Sequence, residues 1–283
     1  MAEIEMLEGV RQAPRGEWND LVADESPFLE WDWLAALEES GAVSTETGWT
    51  PLPLVAREEG KLVAACPLYV KQHSEGEFVF DWSWADAAYR AGIDYYPKLL
   101  VGVPFTPVTG ARFLTANCVD RGFWVRRLAQ TVREICSGND LSGAHVNFCR
   151  DDERAPLESA GFMPRLGFQY HWKNDGFRSF DDYLASLRSK RRNQVRRERR
   201  EMESQEISIE RHVGAAIPDD LFRRVFEIYR VTIDKNPWGR LYLNRRFFDL
   251  LGERFRERLC LIVARQRGEI IAGALNVQKG DSL

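Results

Sequence analysis

The sequence predicts a mixed α/β chain built from two similar units in tandem, the second shorter than the first. Two observations carry this reading: a hairpin-like stretch that recurs 208 residues later, and amphipathic segments preceding both copies in the same order. Val55-Ala56-Arg57-Glu58-Glu59-Gly60-Lys61-Leu62-Val63-Ala64-Ala65 aligns with Val263-Ala264-Arg265-Gln266-Arg267-Gly268-Glu269-Ile270-Ile271-Ala272-Gly273, identical at five of eleven positions. Each copy reads as apolar strand, polar turn with a Gly free to adopt a left-handed conformation, and apolar strand.

The remaining elements follow in order. The first unit opens with a strand over 4–7 and a helix over 16–23. Ser26-Pro27-Phe28 then starts an amphipathic segment over 28–37, before the hairpin. Strands are expected over 78–82 and 98–103. A helix over 121–135 carries Phe123, Trp124, Leu128, Thr131 and Ile135 on or near one face. A strand over 144–149 precedes a short helix over 153–160, ended by Gly161 as a left-handed cap. The last strand is expected over 163–172, and Asn174-Asp175-Gly176 marks the boundary. The units are therefore 1–174 and 175–283. The second begins with a basic helix over 182–203 and a strand over 207–210. A helix over 219–233 has Leu221, Phe222, Val225, Phe226, Tyr229 and Ile233 in one stripe. Asn236-Pro237-Trp238 introduces an amphipathic segment over 243–255, and the second hairpin follows. The strands and helices that complete the first unit have no counterpart after 278. The second unit is thus expected to be a C-terminally truncated copy, and the chain an inactive fragment of a longer protein.

Composition narrows the class. The 283 residues suit about two domains. With 44% hydrophobic and 29% charged residues, a disordered, collagen-like or disulfide-scaffold protein is excluded. The net charge of −4 argues against a general polyanion binder. Cys66, Cys118, Cys136, Cys149 and Cys260 show no CxxC spacing, and the four His are not paired at metal-ligand spacing. No metal is expected. No basic segment leads into an apolar one at the N-terminus, and no stretch approaches 18 apolar residues, so a cytoplasmic protein without a membrane span is expected.

Specific motifs add to the pattern. They are Ser26-Pro27-Phe28, Pro67-Leu68-Tyr69 with Lys71 and His73-Ser74, Tyr95-Tyr96-Pro97-Lys98-Leu99, and Val103-Pro104-Phe105-Thr106-Pro107-Val108-Thr109-Gly110-Ala111-Arg112. Phe180-Asp181-Asp182-Tyr183-Leu184, Lys190-Arg191-Arg192-Asn193 and Thr232-Ile233-Asp234-Lys235 up to Trp238 complete the set. Together with the element order, and with Leu157-Glu158-Ser159-Ala160-Gly161-Phe162 as a late helix-to-strand turn, the chain resembles tandem GNAT-fold proteins of the FemAB-like type. Specifically, it resembles the bacterial peptidoglycan biosynthesis/recognition family of N-acyltransferases. The resemblance implies tandem GNAT-like domains, the second incomplete. It implies transfer of an acyl or aminoacyl group to an amine linked to peptidoglycan precursor metabolism, an EC 2.3-class reaction. The alternatives are a non-catalytic cell-wall-precursor recognition protein and a tRNA- or nucleic-acid-binding module using the basic helix.

Such a transfer needs a base, an oxyanion site and a place for the donor. The donor implied is acyl-CoA or aminoacyl-tRNA. Gly110 is not followed by a Gly-rich turn at the next helix start, so the first unit lacks the usual phosphate loop. Oligomeric state is open. Candidate bases are His73 and His145, which titrate near neutrality, and Asp81 and Asp86, set among Trp82 and Trp84. Candidate substrate contacts are Tyr95, Tyr96, Lys98, Phe105, Thr106 and Arg112 in a Pro- and Gly-rich loop. Eight basic residues and one acid, Glu198, fill positions 188–200. They read either as a solvated helix face or as an anion clamp, and the resemblance singles out Arg191, Arg192 and Arg196. Asp234, Lys235 and Trp238 are expected at a groove between the units.

Overall fold

The computed structural model describes residues 2–283. The first half runs β1 (Glu3–Met6), α1 (Arg15–Val22), α2 (Trp31–Glu39), β2 (Trp49–Pro51), β3 (Leu54–Glu58), β4 (Lys61–Cys66), β5 (Leu68–Lys71), α3 (Trp82–Arg90), β6 (Lys98–Val101), β7 (Leu114–Thr115), α4 (Arg121–Gly138), β8 (Ala144–Val146) and α5 (Asp151–Ser159). The second runs α6 (Phe180–Ser186), α7 (Ser189–Ser204), β9 (Ile207–Val213), α8 (Asp219–Asp234), α9 (Arg245–Leu250), β10 (Leu259–Gln266) and β11 (Glu269–Val277).

Prolines divide the first-half hairpin between two sheets. Pro53 separates β2 from β3, and Pro67 separates β4 from β5. Proline offers no N–H to a ladder. One sheet is ordered β1-β3-β4-β7 and the other β2-β5-β6-β8, with β6 and β8 parallel. Alternation along the strands supplies two cores. Val55, Leu62 and Ala65 pack with Trp18, Leu34 and Leu37 of α1 and α2. Leu54, Ala56, Val63 and Leu99 pack with Trp124, Leu128 and Val132 of α4.

The second half repeats the hairpin at the level of register. The pairs Leu54↔Cys66, Val55↔Ala65 and Ala56↔Ala64 become Ile262↔Ala274, Val263↔Gly273 and Ala264↔Ala272, each shifted by 208. A bulge falls between Ala56 and Arg57, and again between Ala264 and Arg265. Both turns carry two positive φ angles, Glu59 (50°) and Gly60 (78°), then Arg267 (50°) and Gly268 (84°). Both arginines bond the turn: Arg57 donates to Gly60 O at 3.2 Å and Arg265 to Gly268 O at 2.7 Å. The second sheet is ordered β11-β10-β9.

Corresponding helices of the two halves meet. Trp33 of α2 lies edge-on to Phe247 of α9 at 5.2 Å and 5.4 Å from Phe255, so the larger apolar core is continuous across both halves. Glu39 bridges Arg246 and Arg254, and Glu30 bridges Arg258 and Lys279, around that contact.

Three elements differ from expectation. Residues 78–82 form no strand: Phe78 and Phe80 have positive φ, and α3 begins at Trp82, because Asp81 is drawn inward by Lys98 and Tyr95. Residues 163–172 are expected as a strand but have no ladder partner. The basic helix over 182–203 is two helices. Ser179 starts α6 with a capping box through Asp182, and extended Leu187 and Arg188 (ψ 148° and 144°) separate it from α7. Charge alone carried no signal for that break.

Candidate active site

Lys71 and Lys98 face each other in the β5–β6 register, and both are buried. Two like charges on paired strands are unfavourable without acids nearby. Glu77 and Asp81 supply them. Lys98 Nζ lies 3.0 Å from Glu77 Oε2 and 2.8 Å from Asp81 Oδ2, with all three side chains at most 1% exposed. It also lies 3.3 Å from Nδ1 of His145 on β8. Tyr95 OH donates to Asp81 Oδ2 at 3.0 Å. Lys71 Nζ sits 3.6 Å over the Trp49 ring and donates to Glu75 O at 3.2 Å. Glu77 Oε1 and Asp81 Oδ1 are buried with no partner.

Burial sets the electrostatics. It lowers Lys71 to about 7, with Lys98 adding to the effect. It pushes the Glu77 carboxyl up. Burial also opposes charge on Asp81, but the Lys98 and Tyr95 hydrogen bonds outweigh it and hold that carboxyl below its usual range. Burial and then Lys98 bring His145 down to about 4, so its ring is neutral near pH 7 and Nδ1 is committed to Lys98. Glu77, Asp81 and His145 each present a ligand atom within 4.8 Å of the others, the spacing of a cation site. The Lys98 ammonium already bonds all three.

Beside Lys71, which touches its wall through Trp49 and Glu75, a pocket of about 420 Å³ opens at the seam of the two halves. Trp49, His73, Glu75 and Phe105 come from the first half, and Arg240 and Tyr242 from the second. Tyr242 stacks on Phe105 at 5.1 Å and 17°. Arg240 pairs with Glu75 at 2.7 Å. Gly76 presses on Phe105 and Trp49, where a Cβ would fall 2.6 Å from the Phe105 ring, and Glu77 follows it directly. Gly48, with φ +71°, leaves room for His73, whose Nε2 would lie 2.4 Å from a Cβ there. His73 is fixed as wall: its Nδ1 accepts the Glu75 N–H at 3.2 Å, and burial lowers its pKa. An apolar stack beside an exchangeable ion pair suits a ligand with both a flat or aliphatic part and a charge.

The residues expected from the sequence divide into three groups. Asp81, Tyr95, Tyr96, Lys98 and His145 come together in the cluster, and His73 and Phe105 line the pocket. Thr106 and Arg112 are buried and bond backbone carbonyls. Thr106 Oγ1 donates to Pro104 O, and Arg112 donates to the carbonyls of Val108, Gly110, Ala111 and Asn147, clasping the 104–112 loop. The rest stand apart. Asp86 is exposed and paired with Arg90. Asp234, the last residue of α8, and Lys235 and Trp238 just after it are exposed. Arg191, Arg192 and Arg196 lie on α7, and Arg196 lines a second hollow of about 600 Å³ with Phe180, Asp181, Arg199 and Arg200. Lys71, Glu77, Trp49, Arg240 and Tyr242 stand in the cluster or the pocket without having been named among the sequence-based candidates. Only Lys71 left a trace, as a charge closing the apolar run Leu68-Tyr69-Val70. The N-terminus of α4, where a phosphate loop was sought, is capped by Asp120, whose carboxylate accepts the Phe123 N–H at 3.0 Å.

The model of the FemAB-like family, described as peptidoglycan biosynthesis/recognition, matches residues 9–283. The chain belongs to this family. No curated protein matches it. Among solved structures, FemX is 13% identical with a TM-score of 0.47; the match covers 93% of this chain and 58% of FemX. A tandem GNAT protein from the clavulanic acid biosynthesis pathway is 14% identical with a TM-score of 0.41, covering 97% of this chain and 74% of that one. A ribosomal-protein-alanine N-acetyltransferase from Brucella melitensis biovar Abortus 2308 is 13% identical with a TM-score of 0.38, covering 61% and 100%. The FemAB-like chain thus spans 58% of the length of FemX.

Proposed function

We propose that this FemAB-like protein transfers an acyl or aminoacyl group to an amine of a peptidoglycan precursor, with the acceptor held in the seam pocket. Membership of the family over residues 9–283 is the observation that carries this reading. In the reaction the amine attacks the donor carbonyl, a tetrahedral oxyanion forms, and the thiol or tRNA hydroxyl leaves as the amine surrenders a proton. The two histidines are poor bases, since His73 is fixed in the wall and His145 bonds Lys98. Asp86 is outside. Glu77 is the better proton acceptor. Its Oε1 has no partner, burial raises its pKa, and it directly follows Gly76, which packs against the pocket residues Phe105 and Trp49. The donor is acyl-CoA or aminoacyl-tRNA.

The test is mass spectrometry of precursor amines incubated with each donor class. Transfer of one acyl or aminoacyl mass is expected. Glu77→Gln should lower kcat about 100-fold with KM little changed, the scale of a lost general base. Tyr242→Ala should raise KM instead. Saturable precursor binding without transfer from any donor would show a recognition protein rather than an enzyme.

A further inference from the structure

We propose that the face formed by α3 and residues 163–172, with the cations of α7 beside it, docks on an anionic lipid bilayer. This does not rest on the reaction proposed above. α3 buries none of its nine residues: Trp82 is 63% exposed, Trp84 60% and Tyr89 83%. In the 163–172 segment Phe168 is 98% exposed, Tyr170 101% and Trp172 69%. Phe168, Tyr170 and Trp172 stand at alternate positions of the segment, while on α3 Trp82 and Tyr89 share one side and Trp84 lies towards the other, under Arg165.

The face is held in place, not loose. Asp81, at the start of α3, is bonded into the buried cluster. Arg165 reaches back to Val79 O at 3.2 Å and lies 5.6 Å over the Trp84 ring, which joins the segment to α3. Gln169 accepts from Thr109 at 2.8 Å and donates to Pro107 O. The polar side of the segment thus anchors it to the first half and leaves Phe168 and Tyr170 bare.

Charge decides the occupant. Trp172 packs edge-on to Tyr183 at 6.3 Å, Tyr183 packs on Phe180, and Arg199 lies 4.5 Å over Phe180. The aromatic face therefore runs directly into the helix carrying the basic run. A surface rich in Trp and Tyr, bordered by arginines, matches the headgroup level of an anionic membrane. No described helix is long and apolar enough to cross one, so the contact is with the surface. An RNA ligand would use the arginines but has no need of an apolar face this wide.

The experiment is co-sedimentation of the full chain with phosphatidylcholine vesicles and with mixed phosphatidylcholine–phosphatidylglycerol vesicles. Binding to the anionic vesicles and little to the neutral ones is expected. Phe168→Ser/Tyr170→Ser/Trp172→Ser should weaken it about tenfold or more, through lost insertion. Arg191→Gln/Arg192→Gln/Arg196→Gln, on a helix with no fully buried residue, should weaken it about tenfold and remove the preference for anionic lipid. Absence of wild-type binding, or equal binding by wild type and both variants, would overturn the proposal. So would binding confined to a single-stranded RNA probe.

Discussion

Buried charge is the theme at the residue scale. Lys98 is tolerable inside because two carboxylates and a neutral imidazole surround its ammonium. Arg112 is tolerable because its guanidinium meets four backbone carbonyls, although burial still lowers its pKa to about 10. Glu38 makes the thinnest arrangement of the three. Both its oxygens lie 3.1 Å from the Val10 N–H, and burial lifts its pKa to about 7. A carboxyl raised on folding stabilises the native state most when protonated. Its contribution is complete below the unfolded value of 4.5 and is lost as pH rises through 7. The loss is of order 2–3 kcal/mol. Urea titrations across that range should therefore show Glu38→Gln with a flatter dependence of stability on pH than the wild type. Identical slopes would mean that Glu38 ionises normally.

At the scale of elements, the duplicated hairpin is the clearest link between sequence and structure. Its two-residue turns need positive φ at both positions, so Gly60 and Gly268 are required for backbone reasons, with open space where each Cβ would stand. Gly60→Ala and Gly268→Ala should each cost about 1 kcal/mol. Thermal unfolding of the two variants should show similar losses, and a neutral result at either would argue against the turn geometry. Elements shaped by long-range side-chain contacts were less legible. Nothing local in residues 78–82 announces a loop and helix start, because the deciding bonds come from Tyr95 and Lys98. The segment 163–172 has an alternating pattern suited to a strand, yet Gln169 is tied to the 104–112 loop and Arg165 to Val79, and no described strand pairs with it. The basic run proved to be helix as expected, but broken at Leu187-Arg188, where capping at Ser179 and not charge sets the start.

At the scale of the whole molecule, the two halves share a core through α2 and α9, with Trp33 at its centre. Trp33→Ala should cost about 3–5 kcal/mol by leaving a cavity among Phe28, Phe247 and Phe255. Trp33→Phe should cost much less, because the indole Nε1 is buried without an acceptor and its loss relieves that penalty. Chemical denaturation followed by circular dichroism checks both, and comparable losses in the two variants would contradict this account. The same contact places Arg240 and Tyr242 opposite His73, Glu75 and Phe105, so the seam pocket exists only when both halves are packed.

The repeat, the two hairpins with their glycine turns, the amphipathic helices and the family resemblance were legible along the chain. These depend on periodicity, glycine placement and local motif, which are written along the chain. The sequence also marked Asp81 among tryptophans, Tyr95, Tyr96 and Lys98 in a Pro- and Gly-rich loop, and His145 as a side-chain type that titrates near neutrality. Long-range packing brings these five together with Glu77 and Lys71, folds Arg112 onto the carbonyls of the 104–112 loop, and carries Arg240 and Tyr242 across the seam. Each of those outcomes rests on contacts between residues far apart in the chain, and on which buried charge finds a partner once water is excluded.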